Sequence, residues 1–229
     1  MEVDRAAEAV VLGRLQGVAD DGEKFSVLSE EVGRRSFGAD FPLVLVDPVD
    51  GSLNAKQGVP FFGVMLTLLD GATLSDTVCG CVMNLISGEL WTAIRGQGAW
   101  RSGQPLKVQP AEDSDRIQLL GLESTPRALT AARGLIERSS KLRIMGSMAL
   151  SIAHTAAGGI DVFCAPIPMR IFDMTASLLV LGESGGVATD MQGGPLGALV
   201  CALETRTTVL CSADPQLHAV ALAALKAGT

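Results

Sequence analysis

Apolar positions recur along the chain with two different periods, and the change of period lays out its architecture. Residues 2–18 place Val3, Ala7, Val10, Val11, Leu15 and Val18 close to a helical stripe among Glu2, Asp4, Arg5, Glu8 and Arg14. That spacing predicts an amphipathic helix, ended by Asp20-Asp21-Gly22. Phe25 to Leu28 reads as a strand delivering Ser29-Glu30-Glu31, followed by a polar loop over 33–40. The apolar run Leu43-Val44-Leu45-Val46 predicts a buried strand that enters Asp47 and is stopped by Pro48, which cannot donate to a ladder. Residues 58–71, 77–84 and 89–94 continue as strands of a meander. Gly96-Gln97-Gly98 follows one of them and opens no helix, so it reads as a turn and not as a dinucleotide loop.

After a polar stretch at 110–115, strands and helices alternate. Strands are expected at 117–122, 141–145, 160–164 and 208–212, and helices at 127–139, 148–157, 174–182 and beyond Pro215. Ser147 is the expected N-cap of the helix at 148–157, which Gly158-Gly159 end; Asp214 is the expected N-cap of the last helix, and Gly185-Gly186 close the one at 174–182. Asp173 falls at a helix N-terminus, where the macrodipole favours a negative group. His154 lies among Ala and Ile inside a helix and reads as structural. The plan is α+β passing into α/β, with sheets sandwiched between helix layers. It divides into a subdomain at 1–115 and a second at 116–229 that completes the active site.

Composition narrows the chemistry. A net charge of −7 argues against non-specific nucleic-acid binding, which needs a basic face, and 48% hydrophobic residues supply a substantial core. No apolar run approaches the about 18 residues of a membrane span, and the N-terminus has no signal-peptide pattern. Five scattered cysteines suit a reducing cytoplasm better than a disulfide framework. With two histidines and no zinc spacing, oxygen-ligated Mg²⁺ or Mn²⁺ is the default metal. No P-loop and no EF-hand loop occurs.

The candidate site is Asp47-Pro48-Val49-Asp50-Gly51-Ser52-Leu53-Asn54. Two carboxylates at a strand end can hold hard cations, and the free amides of the following turn can hold a phosphate. Ser52 is the expected N-cap of the helical turn that follows. Glu30, brought in by a short strand, is a candidate to share that site.

Four separated segments then resemble the inositol monophosphatase family of metal-dependent phosphatases. They are Ser29-Glu30-Glu31, the Asp47 to Asn54 run, Gly146-Ser147 before a helix, and Phe172-Asp173-Met174-Thr175-Ala176 with Glu183-Ser184-Gly185-Gly186. Gly58-Val59-Pro60-Phe61-Phe62 is similar to the archaeal-type branch, whose members often hydrolyse both inositol monophosphate and fructose 1,6-bisphosphate. The resemblance implies the layered αβαβα sandwich of sugar phosphatases and hydrolysis by metal-activated water. It implies that Glu30, Asp47, the Val49 carbonyl, Asp50 and Asp173 hold two or three Mg²⁺ ions, with Glu30 also serving catalysis. Gly51 and Ser52 would present amides to the phosphate, the Ser52 hydroxyl with Asp4 would orient the attacking water, and Ser147, Met148 and Arg170 would face the substrate.

This chain departs from the family pattern in four places. Ser52 replaces a threonine, Phe172 replaces a tryptophan, and Ala165 stands where inositol-selective members carry a glutamate. The family's helix before the one holding Asp4 is not represented, which predicts an exposed apolar face and self-association as a homodimer or higher oligomer. Alternatives on the same scaffold are a 3′-phosphoadenosine 5′-phosphate or histidinol phosphatase, or a metal-binding interaction subunit without catalysis.

Overall fold

The meander half of the chain folds as a seven-stranded antiparallel sheet, and the alternating half as a five-stranded mixed sheet. The computed structural model describes residues 2–108, 116–123 and 125–227, so the expected boundary at 110–115 lies outside the described residues. The first sheet runs in sequence order through β1 (Phe25–Ser29), β2 (Gly33–Asp50), β3 (Gly63–Leu69), β4 (Thr77–Asn84), β5 (Leu90–Ile94), β6 (Gly98–Arg101) and β7 (Gln104–Leu106). The second contains β8 (Ile117–Leu122), β9 (Ser139–Ile144), β10 (Val162–Arg170), β11 (Val187–Thr189) and β12 (Arg206–Ser212), in the order β11-β12-β10-β8-β9.

Burial explains the layering. Helices α4 (Met148–Ala156) and α5 (Thr175–Ser184) are apolar all round, and nearly all of their residues are buried. A helix without a polar face needs a sheet on either side. Both supply residues to one core that also takes Met65, Val82 and Trp91 from the first sheet and Phe163 and Val209 from the second. On the far face of the second sheet, α3 (Arg133–Arg138) and α6 (Pro215–Ala227) add Leu135, Leu217 and Leu225 to a second core. On the far face of the first sheet, α1 (Glu2–Asp20) brings Val11, Leu12 and Leu15 against Phe25, Val27 and Val46. The layers therefore read α1, sheet, α4–α5, sheet, α3–α6, the expected αβαβα sandwich.

Several local expectations are corrected. Only part of the stripe expected on α1 faces the sheet: Val11 and Leu15 pack there, whereas Val3, Val10 and Val18 are 44%, 67% and 43% exposed and Asp4 and Glu8 are buried. Hydrogen-bonding partners under the helix stabilise those two acids there and set its rotation. Residues 33–40 form a strand, because β1 lies between the two arms of β2: Ser26 pairs with both Ser36 and Leu43. Nor does Pro48 end β2, which reaches Asp50 through an irregularity between Asp47 and Asp50. Gly96-Gln97-Gly98 is a turn as expected, but Gly98 also opens β6. The helix expected at 127–139 is split into a 3₁₀ stretch, Pro126–Ala132, and the short α3. The short strand β11 carried no sequence signal of its own.

Candidate active site

The irregular end of β2 is where the chemistry collects. Between Asp47 and Asp50 the ladder to β3 breaks register, which allows both carboxylates to turn to the same end of the sheet. Asp47 Oδ1 accepts the Val49 amide at 3.2 Å. Gly51 follows at φ 89°, and a Cβ there would meet the Gly146 carbonyl at 3.0 Å, so only glycine fits. Helix α2 (Ser52–Gln57) then begins with Gly51 as its N-cap and no side-chain cap. Ser52 is thus inside the helix and not its cap, which corrects the expectation. Its hydroxyl donates to Asp4 Oδ1 on α1 and lies 2.8 Å from the Val49 carbonyl, the alternative acceptor of its one hydrogen.

Asp50 ties the two sheets together. Its carboxylate accepts the Ser147 hydroxyl, the Met148 amide at 3.2 Å and the Ala149 amide at 2.9 Å, so it caps the start of α4 from the opposite half of the molecule. Ser147 also caps α4 in its own right, accepting the Leu150 amide. This corrects the role expected of Ser147: it is 1% exposed with its hydroxyl on Asp50, so it supports the site and does not face substrate. Asn54 fastens the same junction from the other side, donating to the Phe61 and Met145 carbonyls at 2.7 Å each.

Glu30 and Asp173 come from opposite directions. The turn after β1 carries Glu30, and Glu8 holds that turn from beneath, its Oε1 accepting the Ser29 hydroxyl and the Glu31 and Val32 amides. Asp173 sits in the 3₁₀ turn Ile171–Met174 that leads into α5. Between them lies Arg170, its Nε 2.9 Å from Asp173 Oδ2 and a terminal guanidinium nitrogen 2.6 Å from Glu30 Oε1. Asp173 Oδ1 is buried and finds no hydrogen-bond partner among the described residues.

Glu30, Asp47, Val49, Asp50, Gly51, Ser52 and Asp173 line one cavity of about 200 Å³, joined by Glu123, Gly146, Met148, Met169 and Arg170. All the expected ligand residues are therefore brought together, as are Met148 and Arg170, while Asp4 stands behind Ser52. Crowding shows in the proton affinities. Burial pushes Asp47 well up, and the charges of Asp50, Asp173 and Glu30 push it further. Burial raises Asp50 to about 6 against the bond from Ser147, and it raises Asp173 against the attraction of Arg170. Burial disfavours the charge on Arg170, but its bonds to Glu30 and Asp173 prevail and hold it charged. Several like charges in one dry pocket stay ionised together only around a cation.

Among the described residues, no three carboxylate, imidazole or thiol groups already stand gathered at metal-binding distance. The positive charge between Glu30 and Asp173 belongs instead to Arg170. The donor set nonetheless fits a hard divalent cation: its side-chain donors are carboxylates, one carboxylate oxygen is buried and unpartnered, and the repulsion at Asp47 is what such an ion relieves.

The whole chain, residues 1–228, matches the profile of the inositol monophosphatase family. It belongs to that family. Its members are hydrolases of phosphoric monoesters. The chain is 31% identical over 227 residues to the fructose-1,6-bisphosphatase/inositol-1-monophosphatase of Methanothermobacter thermautotrophicus, covering 94% of this chain and 79% of that one. It is 32% identical over 227 residues to the inositol-1-monophosphatase of Aeropyrum pernix, covering 96% and 82%. Among solved structures it is similar to the extragenic suppressor protein suhB of Bartonella henselae, with TM-score 0.83 and 29% identity over 99% of this chain and 85% of that one.

Three contributors were not read from sequence. Glu8 shares a helix face with Asp4, four residues away, and that spacing was the available signal. Asn54 ends the quoted Asp47 run, yet only the structure shows what it holds. Glu123 follows β8 and carries no motif. The histidines are structural: His154 packs between Phe61 and Trp91, and burial pushes its pKa down. His218 bonds Thr189 and Ser212.

Proposed function

We propose that this chain hydrolyses the phosphate monoester of a polyhydroxylated alcohol, inositol 1-phosphate or fructose 1,6-bisphosphate, with Mg²⁺ as its natural cation and Mn²⁺ able to replace it. One observation carries the reading: Glu30, Asp47, Val49, Asp50 and Asp173 converge on a single cavity beside Gly51 and Ser52. Those five residues would hold two or three ions. When bound, the ions supply positive charge to the phosphoryl oxygens and lower the pKa of water.

The chain's own groups supply the rest. The first amides of α2, uncapped by any side chain, are available to phosphate oxygens. A water against Ser52 Oγ has a path for its proton through that hydroxyl to Asp4. Burial opposes the charge on Asp4, yet its hydrogen bonds, that from Ser52 included, keep its pKa below the ordinary value, so it stays ionised. In the net reaction the water oxygen adds to phosphorus, the bond to the alcohol oxygen breaks, and that oxygen leaves with a proton. Arg170, on the same cavity wall, would reach a substrate oxygen; Arg170→Ala is expected to raise KM for a bisphosphate.

In this reading residues 1–115 carry most of the cation site and residues 116–229 complete it. The free thiols, Cys164, Cys201 and Cys211 among them, suit the cytoplasm. The protein would self-associate, and light scattering at micromolar concentration that returns the 23.8 kDa of one chain would refute that part. The function itself is tested by phosphate release with Mg²⁺ from inositol 1-phosphate, fructose 1,6-bisphosphate and 3′-phosphoadenosine 5′-phosphate. Turnover of a polyol phosphate is expected. Turnover of the nucleotide alone, or of none, would overturn the reading.

A further inference from the structure

One wall of the cavity carries an acid that neither the cation site nor the proton path uses. Glu123 follows the C-terminal end of β8, and its amide donates to the Cys164 carbonyl at 3.0 Å, which fixes it beside β10. Its side chain lines the same cavity as Asp50, Met148 and Arg170. Carboxyl oxygen Oε2 is buried and has no hydrogen-bond partner among the described residues. An unpartnered buried carboxyl costs stability, so a chain that keeps one beside its active site places a group in need of a ligand. Burial, with a contribution from the charge of Asp50, also raises the pKa of Glu123 above the ordinary carboxylate value.

The chemistry around it selects the ligand. Phosphate oxygens are repelled by an acid and are provided for at Gly51 and Ser52. The group that remains is the alcohol half of the ester. A carboxyl accepts a hydrogen bond from a hydroxyl when ionised and can also donate one when protonated, so it suits hydroxyls in either state. We propose that Glu123 is a specificity-determining residue that recognises a hydroxyl of a polyhydroxylated leaving group. The inference rests on the phosphatase reading above and deepens it. A site that must hydrogen-bond a substrate hydroxyl discriminates strongly against substrates lacking one, because its own polar group is then left unpaired.

The test compares inositol 1-phosphate with p-nitrophenyl phosphate, whose leaving group bears no further hydroxyl, for the wild-type protein, Glu123→Ala and Glu123→Gln. Mn²⁺ binding is measured in parallel by electron paramagnetic resonance. Glu123→Ala is expected to raise KM for inositol 1-phosphate about 10- to 100-fold. KM for p-nitrophenyl phosphate should stay within about twofold, and Mn²⁺ affinity should not change. Glu123→Gln, which keeps a hydrogen-bonding head, should recover part of the loss. Equal changes in KM for both substrates would overturn the proposal, and so would weakened Mn²⁺ binding, which would make Glu123 a cation ligand. If the wild-type protein cleaves neither substrate, it is the phosphatase reading that fails.

Discussion

Asp47, Asp50 and Asp173 form a wall of the cavity that grows out of the buried middle of the molecule, whereas Glu30 stands on a turn propped by a surface helix. The three aspartates are 3%, 8% and 8% exposed. They are held by the irregular end of β2, the start of α4 and the turn into α5. Glu30 is fixed through Glu8, and Ser52 through Asp4, both on α1, whose outer face leaves Val3 and Val10 in solvent. The inner wall thus gains rigidity at the cost of crowded charge. The outer wall is more exposed and depends on hydrogen bonds to one helix. Such a division gives substitutions on the two walls different signatures.

The largest effect is expected on the inner wall. Asp47→Asn should lower Mg²⁺-dependent phosphate release by about 10³-fold or more. Without metal it should melt higher than the wild-type protein at neutral pH, because it removes a buried charge repelled by three others. The pH dependence sharpens this. Asp50 titrates near 6 when folded against an ordinary 3.8, and Asp47 is raised as well. Between about pH 4 and 6 the folded chain holds protons that the unfolded chain has released, so metal-free stability falls as pH rises. Thermal melts from pH 4 to 7 should show a steeper fall for the wild-type protein than for Asp47→Asn, with Mg²⁺ restoring the loss. Parallel curves would break the comparison.

Ser52→Ala comes next. It removes the hydroxyl joining the 47–52 segment to Asp4 and should cost about 10²-fold in kcat, with little change in Mn²⁺ affinity. A change confined to KM would remove Ser52 from the proton path. On the outer wall, Glu8→Gln leaves every candidate ligand in place and disturbs only the support of the Glu30 turn. Mn²⁺ affinity measured by calorimetry should fall about tenfold, with kcat at saturating metal nearly kept. If Glu8→Gln binds Mn²⁺ like the wild-type protein, the helix is packing and nothing more. Val10→Ser, on the solvent side of the same helix, should shift stability by less than about 0.5 kcal/mol in chemical denaturation.

The same division explains what could be read from sequence. Most of the inner wall was legible because its residues follow one another: Asp47, Asp50, Gly51 and Ser52 share a strand end, whereas Asp173 read only as a helix N-terminus until the family resemblance brought it to the site. Sheets sandwiched between helix layers followed from the meander and the alternation after it; the αβαβα order was implied by the family resemblance. The rotation of α1 was not legible, since hydrophobicity places Val3 and Val10 inward and only buried partners reveal that Asp4 and Glu8 belong there. The strand at 33–40 was read as a polar loop because its stability comes from β1, paired on both edges, and not from its own side chains. Glu123 has no neighbouring motif; the cavity alone identifies it.

The central claim is that carboxylates from both walls share cations. Calorimetric titration of Mn²⁺ into the wild-type protein, Glu30→Gln, Asp173→Asn and the double variant tests it most directly. Each single substitution should weaken binding about tenfold or more, and the double variant should lose clearly less than the product of the two, as residues of one site do. Multiplicative losses, or single variants that bind as the wild-type protein does, would show that the walls do not meet around an ion.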